Sequence, residues 1–219
     1  MNLVTAPDAW ATPLARFRTY FESTGRPASS IKLRDYHLRR FARACGVPPF
    51  EVTLDDMLAH LNNKAWGSNT RRGVRTSLAT FYRWAHDTEL TPRNLAARLP
   101  SFPFRAGSPR PTPDAALDAG LQGADSRVAL MIRLGALVGL RCCEIATVST
   151  DDLLRTHDGW SLHVVGKGDR DRIVPISSAL ASEIQDAGPG YIFPGQIDGH
   201  LSAGYVSKLI SRELPPGET

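Results

Sequence analysis

The sequence predicts a mainly helical protein of two domains, with a small antiparallel sheet in the second domain. Apolar residues recur at helical spacing through the first hundred residues, five prolines lie between Leu99 and Pro113, and a β-hairpin pattern follows. The 219 residues suffice for one large domain or two small ones. We therefore expect a helical domain at 1–98, a proline-rich linker at 99–113 and an α+β domain at 114–219.

Four helices are predicted in the first domain. Their first apolar face consists of Trp10, Leu14, Phe17 and Phe21, and a similar pattern runs through residues 30–46. Thr53, with Asp56 three residues later, predicts the N-terminal cap of a third helix. Ser68 is predicted to cap a fourth helix, which continues to about Ala85.

The second domain mixes helices with a hairpin. We expect helices at 114–121, 126–140, 142–148, 178–185 and 202–214. Residues 160–165 alternate in polarity and are rich in β-branched types, residues 166–169 form a glycine-containing turn, and residues 172–176 resume the strand pattern. These segments predict two antiparallel strands.

Basic residues are concentrated in the first half. Up to Ala106 there are 16 Lys and Arg against 8 Asp and Glu, and afterwards 10 against 14. Only four of the 26 basic residues are lysines, and arginine binds phosphate in a bidentate fork. This asymmetry predicts a polyanion facing the first domain. A solvated arginine-rich surface remains the alternative.

Two helical segments carry the candidate nucleic-acid contacts. Short polar and basic side chains of this kind reach phosphate oxygens, and two such faces in one bundle suit adjacent grooves of a duplex. The predicted contacts are Ser30, Lys32, Arg34, Arg39, Thr70, Arg71, Arg72 and Arg75.

Other classes of protein are excluded by composition. The longest apolar runs fall short of the ~20 residues that a membrane span needs. The N-terminus shows no secretory signal, so we expect a cytoplasmic protein that contacts no membrane. The three cysteines, Cys45, Cys142 and Cys143, lack the spacing of a zinc site and are expected to be buried reduced thiols.

Two motifs carry a family resemblance. Residues 139–145 read Gly-Leu-Arg-Cys-Cys-Glu-Ile, and residues 166–175 read Gly-Lys-Gly-Asp-Arg-Asp-Arg-Ile-Val-Pro. They resemble the G-L-R-x-x-E-I segment and the G-K-G-x-K-x-R-x-V-P hairpin of the tyrosine recombinase, or phage integrase, family. Residues 29–41 and 68–84 are similar to the DNA-gripping helices of that family. The resemblance implies a SAM-like four-helix core-binding domain followed by the recombinase catalytic domain.

The resemblance also implies a chemistry. In this family a tyrosine attacks a phosphodiester and forms a 3′-phosphotyrosyl link, without a metal or cofactor. Arg141 then matches the arginine that clamps the phosphate oxygens, Glu144 the acid that orients it, and Lys167 the proton donor to the departing oxygen. Arg170 and Arg172 follow the basic hairpin, where phosphate contact and strand pairing are both open. Double-stranded DNA core sites, and self-association as a tetramer on DNA, are the implied partners.

The family pattern continues into H-x-x-R and a nucleophilic tyrosine that these residues do not match. None of the five tyrosines, Tyr20, Tyr36, Tyr82, Tyr191 and Tyr205, stands at the nucleophile's place in the motif. We therefore expect an incomplete catalytic domain that does not cleave DNA alone. A truncated gene, a split or frameshifted integrase and an incomplete sequence remain open. So do a non-catalytic protein occupying a recombination core site and an unrelated helical transcription regulator.

Overall fold

The structure is a computed structural model, which describes residues 5–104, 106–107, 111–166 and 170–214. Contacts divide the chain into two compact units, Met1–Ser108 and Pro109–Thr219. The division lies inside the segment predicted to be a linker. The predicted fold class is confirmed: the protein is mostly helical and carries a small antiparallel sheet in the second unit.

The first unit is a helical bundle. Its elements in the described residues are α1 (Asp8–Ser23), α2 (Ala28–Cys45), α3 (Leu54–Leu61), α4 (Ser68–Asp87) and a 3-10 turn at Leu95–Arg98. Pro7 and Pro27 directly precede α1 and α2, where a missing N–H costs no helical bond. Gly46 ends α2 with a φ of 69°, a left-handed conformation that glycine adopts without steric cost.

Aromatic side chains fill the core of this unit. The Trp10 ring is fully buried, stacks on Phe81 at 5.7 Å between centroids and meets Phe41 edge-on at 5.8 Å. Its indole N–H donates to the Val47 carbonyl at 2.9 Å, so burial leaves this polar group satisfied. Trp10 thereby joins α1 to both α2 and α4.

One of the two predicted helix caps is correct. Thr53 Oγ1 accepts from the Asp56 N–H, and Asp56 Oδ2 accepts from the Thr53 N–H, which is the reciprocal capping box. The prediction for Ser68 is wrong, because Gly67 occupies the cap position and Ser68 is the first helical residue. The Ser68 hydroxyl instead donates to the Pro103 carbonyl at 2.9 Å.

The segment that follows the 3-10 turn packs along α4. Leu99 is only 3% exposed, and Phe102 packs against the aromatic core. Arg75 donates from Nε to the Pro100 carbonyl at 2.8 Å and from Nη2 to the Leu99 carbonyl at 3.1 Å. The first residues of the predicted linker are therefore part of the first unit.

The second unit combines helices with a sheet. Its elements in the described residues are α5 (Asp114–Gly123), α6 (Ser126–Val138), α7 (Cys142–Thr147), a 3-10 turn at Thr150–Asp152, β1 (Leu153–Thr156), β2 (Gly159–Gly166), β3 (Arg170–Ile176), α8 (Ser178–Asp186), β4 (Pro194–Ile197) and α9 (Ala203–Glu213). None of the helices in these described residues has the length and apolar character to span a membrane.

Three strands form the antiparallel sheet in the described part of this unit, in the order β1-β2-β3. The predicted hairpin is β2 and β3, with Leu162 opposite Val174. The sequence reasoning missed β1, which has four residues and pairs Leu153 with Leu162. Three of its four residues are exposed, so it lacks the alternating polarity that marks a half-buried strand.

In the second unit, the turn between α6 and α7 is held against the sheet by the hydrophobic core. Leu162 and Val164 of β2 are buried among Leu134 of α6 and Ile145 of α7. Helix α6 ends at Val138, and the next residue, Gly139, has a φ of 70° that turns the chain back. Arg141 then precedes the first residue of α7, and Glu144 faces inward one turn later.

Candidate active site and nucleic-acid interface

A buried carboxylate, that of Glu144, is the centre of the site. Its side chain is 2% exposed. Glu144 Oε2 accepts the Arg141 backbone N–H at 2.8 Å, which caps the first turn of α7. Arg141 Nη1 donates to Oε1 at 2.9 Å, and Arg172 adds a bidentate pair, Nη1 to Oε1 at 2.9 Å and Nη2 to Oε2 at 2.8 Å. One carboxylate therefore joins the start of α7 to the middle of β3.

These contacts keep Glu144 ionised. Hydrogen bonds from Arg172, and then from the backbone and side chain of Arg141, lower its pKa to about 2, against the opposing effect of burial. The hydrogen bonds between Arg172 and Glu144 also raise the pKa of Arg172. Two guanidinium groups and one carboxylate leave the cluster with a net positive charge, which favours an anion beside it.

Arg141 keeps most of its donors available. Its side chain is 66% exposed, and Nη1 makes its bond to Glu144. Among the described residues, Nε and Nη2 have no hydrogen-bond partner. These two nitrogens form one edge of the guanidinium, the edge that binds two phosphate oxygens side by side. The geometry thus provides an oriented, solvent-facing guanidinium edge that can donate hydrogen bonds to an anion.

Arg172 differs from its prediction as a DNA contact. Both of its terminal nitrogens are bonded to Glu144, and its side chain is 34% exposed. The sequence could not show this, because the two residues are 28 positions apart. The correction is that Arg172 pairs with Glu144, the carboxylate that also holds Arg141.

Lys167, the predicted proton donor at the hairpin tip, lies outside the described residues. The two residues that flank the tip are paired across the ladder, Gly166 opposite Arg170. A Cβ on Gly166 would lie 3.4 Å from Glu144 Oε1 and 3.3 Å from Arg172 Nη1. The base of the hairpin therefore runs directly beside the Glu144 carboxylate, and Arg170 is exposed there.

The candidate contacts on α2 divide into two groups. Ser30 is half-buried and Lys32 is exposed, in keeping with an accessible surface. Arg39 is paired with Asp35 at 2.6 Å. Arg34 donates from Nη1 to the Gly73 carbonyl at 3.2 Å and to Ser77 Oγ at 3.0 Å, and burial lowers its pKa. We withdraw Arg34 from the predicted interface, because it ties α2 to α4.

The candidate contacts on α4 divide in the same way. Thr70 and Arg72 are exposed, and the Arg72 guanidinium lies over the Phe104 ring, 5.1 Å from its centroid. Arg71 Nη2 donates to the Asn63 carbonyl at 3.1 Å. Arg75 is also withdrawn, because its Nε and Nη2 edge holds the Leu99 and Pro100 carbonyls.

Arg40, which belongs to the basic group of residues 29–43 in the sequence, is an accessible cation on α2. Its guanidinium lies 5.6 Å from the centroids of both Tyr36 and Trp66, and Nη1 donates to the Tyr36 hydroxyl at 3.1 Å. The side chain is therefore held in place while it remains exposed. The i,i+4 spacing of Tyr36 and Arg40 was the available signal.

No group of three His, Cys, Asp or Glu side chains in the described part of the chain is arranged to hold a metal ion. Of the three cysteines, Cys143 is exposed and Cys45 and Cys142 are partly buried, so the expectation of buried thiols is wrong for Cys143.

Comparison with known proteins finds similar sequences and similar folds. No protein-family model matches the chain. A tyrosine recombinase XerA from Thermococcus kodakarensis is 27% identical over 176 residues, which cover 78% of this chain and 60% of the relative. The chain is similar in sequence to tyrosine recombinases. It spans about three fifths of the length of the curated relatives that it matches.

Solved recombinase structures share the fold. A lambda integrase dimer bound to a COC′ core site superposes with a TM-score of 0.72 at 17% identity, covering 92% of this chain and 76% of that one. A XerH recombinase bound to its difH substrate before cleavage gives 0.60 at 15% identity, covering 86% and 63%. At these identities, the likeness concerns the fold alone.

Proposed function

We propose that this chain carries the DNA-gripping unit and part of the catalytic unit of a site-specific recombinase. The observation that carries the proposal is the Arg141 guanidinium, whose Nε and Nη2 edge has no partner among the described residues while Glu144 fixes its other side. The motif around it is that of a family whose members cut and rejoin DNA through a 3′-phosphotyrosyl intermediate. The XerA relative and the DNA-bound structural neighbours support this assignment.

Each site residue has a proposed role in that reaction. Arg141 binds the non-bridging oxygens of the scissile phosphate, where negative charge grows in the transition state. Lys167 donates a proton to the departing 5′-oxygen. Glu144 acts through Arg141 by fixing the orientation of its guanidinium. This division of roles requires neither a metal nor a cofactor.

The first unit is proposed to grip double-stranded DNA at a core site. Lys32, Thr70 and Arg72 are exposed, Ser30 is partly exposed, and Arg40 is an ordered cation on the same helix as Lys32. Phosphate contacts from such residues give affinity and register without base specificity. We further propose that copies of the protein associate as a tetramer on two duplexes, and that they do so in the cytoplasm.

The nucleophile is not assigned to any tyrosine of these 219 residues. Tyr82 is buried and donates to the Pro49 carbonyl at 2.9 Å, and burial raises its pKa. Tyr205, on α9, is 44% exposed, but its place in the sequence does not match the family motif. We expect the 219-residue chain to bind core-site DNA without forming a covalent adduct.

The test uses a nicked duplex that carries the core site beside the gene, with gel shift and adduct detection on the same samples. A gel shift by the native chain supports the proposal if Arg141→Ala weakens the binding and the control Arg155→Ala, at an exposed position, does not. Binding that ignores Arg141 favours a non-catalytic DNA-binding protein. A covalent adduct that disappears on Tyr205→Phe would place the nucleophile within this chain and overturn that part of the proposal.

A further inference from the structure

The position of Arg172 shows what it does for Arg141. Arg172 extends from β3 on the buried face of the sheet, opposite Val164 in the ladder, and reaches α7 through Glu144. Glu144 Oε1 accepts from Arg141 Nη1 and from Arg172 Nη1, both at 2.9 Å. The two arginines therefore share one oxygen of a carboxylate that is almost fully buried.

We infer that Arg172 is a positioning residue that acts on substrate phosphate only through Arg141. It donates to both oxygens of Glu144, so that a single nitrogen of the Arg141 guanidinium is needed there beside the Arg141 backbone N–H. Among the described residues, the Nε and Nη2 edge of Arg141 then remains free. The inference rests on the proposed function, because it gives a purpose to that free edge.

The energetic argument concerns the buried carboxylate. An ionised carboxylate at 2% exposure requires compensating donors on both oxygens. Without Arg172, the donors that remain among the described residues are the Arg141 backbone N–H and the Arg141 side chain. The Arg141 guanidinium would then turn its double-donor edge toward Glu144, and that edge would be lost to phosphate.

The geometric argument concerns the hairpin. The Cβ of any residue other than glycine at 166 would lie 3.2 Å from the Arg170 carbonyl and 3.3 Å from Arg172 Nη1. These distances are shorter than ordinary van der Waals contact, so the end of β2 closes on the Glu144–Arg172 pair without room to spare. Arg172 thus also fixes the base of the hairpin against α7.

Lysine cannot replace Arg172 in this arrangement. An ammonium group is a point charge with a flexible stem, whereas the planar guanidinium meets both carboxylate oxygens with two parallel bonds. Arg172→Lys therefore retains the charge and removes the bidentate geometry, and Arg170→Lys is the matched control on the same strand.

The first experiment reads Arg141 directly, without DNA. The Nε–Hε resonance of Arg141 is assigned by its loss in Arg141→Lys and followed by NMR in the 219-residue chain. We expect Arg172→Lys and Gly166→Ala each to shift it, and Arg170→Lys to leave it in place. An unchanged resonance in a folded Arg172→Lys variant would overturn the inference. If that variant does not fold, Gly166→Ala decides the same question with Arg172 intact.

The second experiment is a double-mutant cycle on affinity for the core-site duplex. We expect Arg172→Lys to weaken binding about fivefold in the native background and not at all in the Arg141→Ala background. Losses that multiply in the double variant would show that Arg172 contacts DNA itself and would overturn the inference. A native chain that binds no duplex contradicts the proposed function instead, and the NMR result then still decides the role of Arg172.

Discussion

Arg34 of α2 donates to the hydroxyl of Ser77 of α4 at 3.0 Å, across the interface between the two helices that carry the predicted DNA contacts. His37 Nδ1 lies 2.9 Å from the same hydroxyl, and the hydroxyl itself donates to the Gly73 carbonyl at 3.0 Å. Ser77 is fully buried. One hydroxyl therefore sets the relative position of two exposed basic faces.

Ser77→Ala should destabilise the protein by about 1–3 kcal/mol, because Arg34 and His37, both partly buried, lose the fully buried hydroxyl that pairs with them. Urea denaturation followed by tryptophan fluorescence measures this loss. The matched control is Thr76→Ala on the same helix, whose hydroxyl bonds only the Arg72 carbonyl of its own helix in the described residues. Equal stability of the two variants would contradict the bridging role.

Acidification from pH 6.5 to 4 should destabilise the first unit. Burial, with nearby Arg34 and Arg40 for His37, lowers the pKa of His37 and of His60 from 6.5 to about 4. The unfolded chain binds protons first, so this stability is complete above pH 6.5 and falls until about pH 4. The loss should be on the order of 3 kcal/mol in total, at about 1.4 kcal/mol per pKa unit less the effect of partial exposure.

The pH effect is separable by residue. His60 lies edge-on to Phe41 and Trp66, at centroid distances of 5.1 and 4.9 Å, so His60→Phe replaces a ring with a ring. We expect this variant to lose roughly half of the pH dependence between 6.5 and 4, measured as Tm against pH. His157→Phe, at an exposed position, is the control and should leave the dependence unchanged.

Glu144 predicts a second acid transition, in the second unit. Because its folded pKa is about 2 and its ordinary value 4.5, its contribution is complete above pH 4.5 and is lost toward pH 2. Glu144→Gln should remove this transition and lower stability at pH 7 by about 2 kcal/mol, since one amide cannot satisfy two guanidinium groups. Asp171→Asn, exposed on the same strand as Arg172, should do neither.

Arg75→Ala should release the segment that packs along α4. The variant loses the bonds to the Leu99 and Pro100 carbonyls, so chymotrypsin should cleave after Phe104 several times faster. Mass spectrometry of the early fragments checks this. The control is Arg83→Ala, at an exposed position on the same helix, which chymotrypsin should cleave at the native rate. Unchanged cleavage in Arg75→Ala would show that these bonds do not hold the segment.

Salt dependence distinguishes the exposed cations from the buried ones. Lys32→Ala and Arg72→Ala should each reduce the slope of log affinity against log salt by about 1, if each neutralises one phosphate. Arg34→Lys should leave that slope unchanged, because Arg34 is bonded within the protein. Fluorescence anisotropy between low and moderate salt gives the slopes. A reduced slope for Arg34→Lys would return that residue to the interface.

The sequence was sufficient for features that depend on neighbours along the chain. The apolar spacing from Trp10 to Phe21 predicted α1, the Thr53 and Asp56 pair predicted the cap of α3, and the alternation in 160–165 predicted β2. Each of these depends on contacts within a turn or between adjacent strands. The motif around Arg141 likewise indicated the local relationship between Arg141 and Glu144.

Features set by contacts between distant residues were not predictable. Arg34, Arg75 and Arg172 read as surface cations, because nothing nearby in sequence reveals Ser77, the Leu99 carbonyl or Glu144 as their partners. Ser68 was predicted to be a helix cap because its actual acceptor, the Pro103 carbonyl, is 35 residues away in the sequence. A polar side chain's partner is a property of the fold, and local spacing carries no information about it.

The double use of Glu144 sets a minimum size for any working fragment of the second unit. The carboxylate starts α7, but its charge is balanced in the fold by a strand that follows 28 residues later. A fragment that ends before β3 would contain the Glu144 carboxylate that caps α7 but would lack Arg172, the cation that balances its charge. Any segment in which Glu144 keeps both of its arginine partners therefore extends at least through Arg172 of β3.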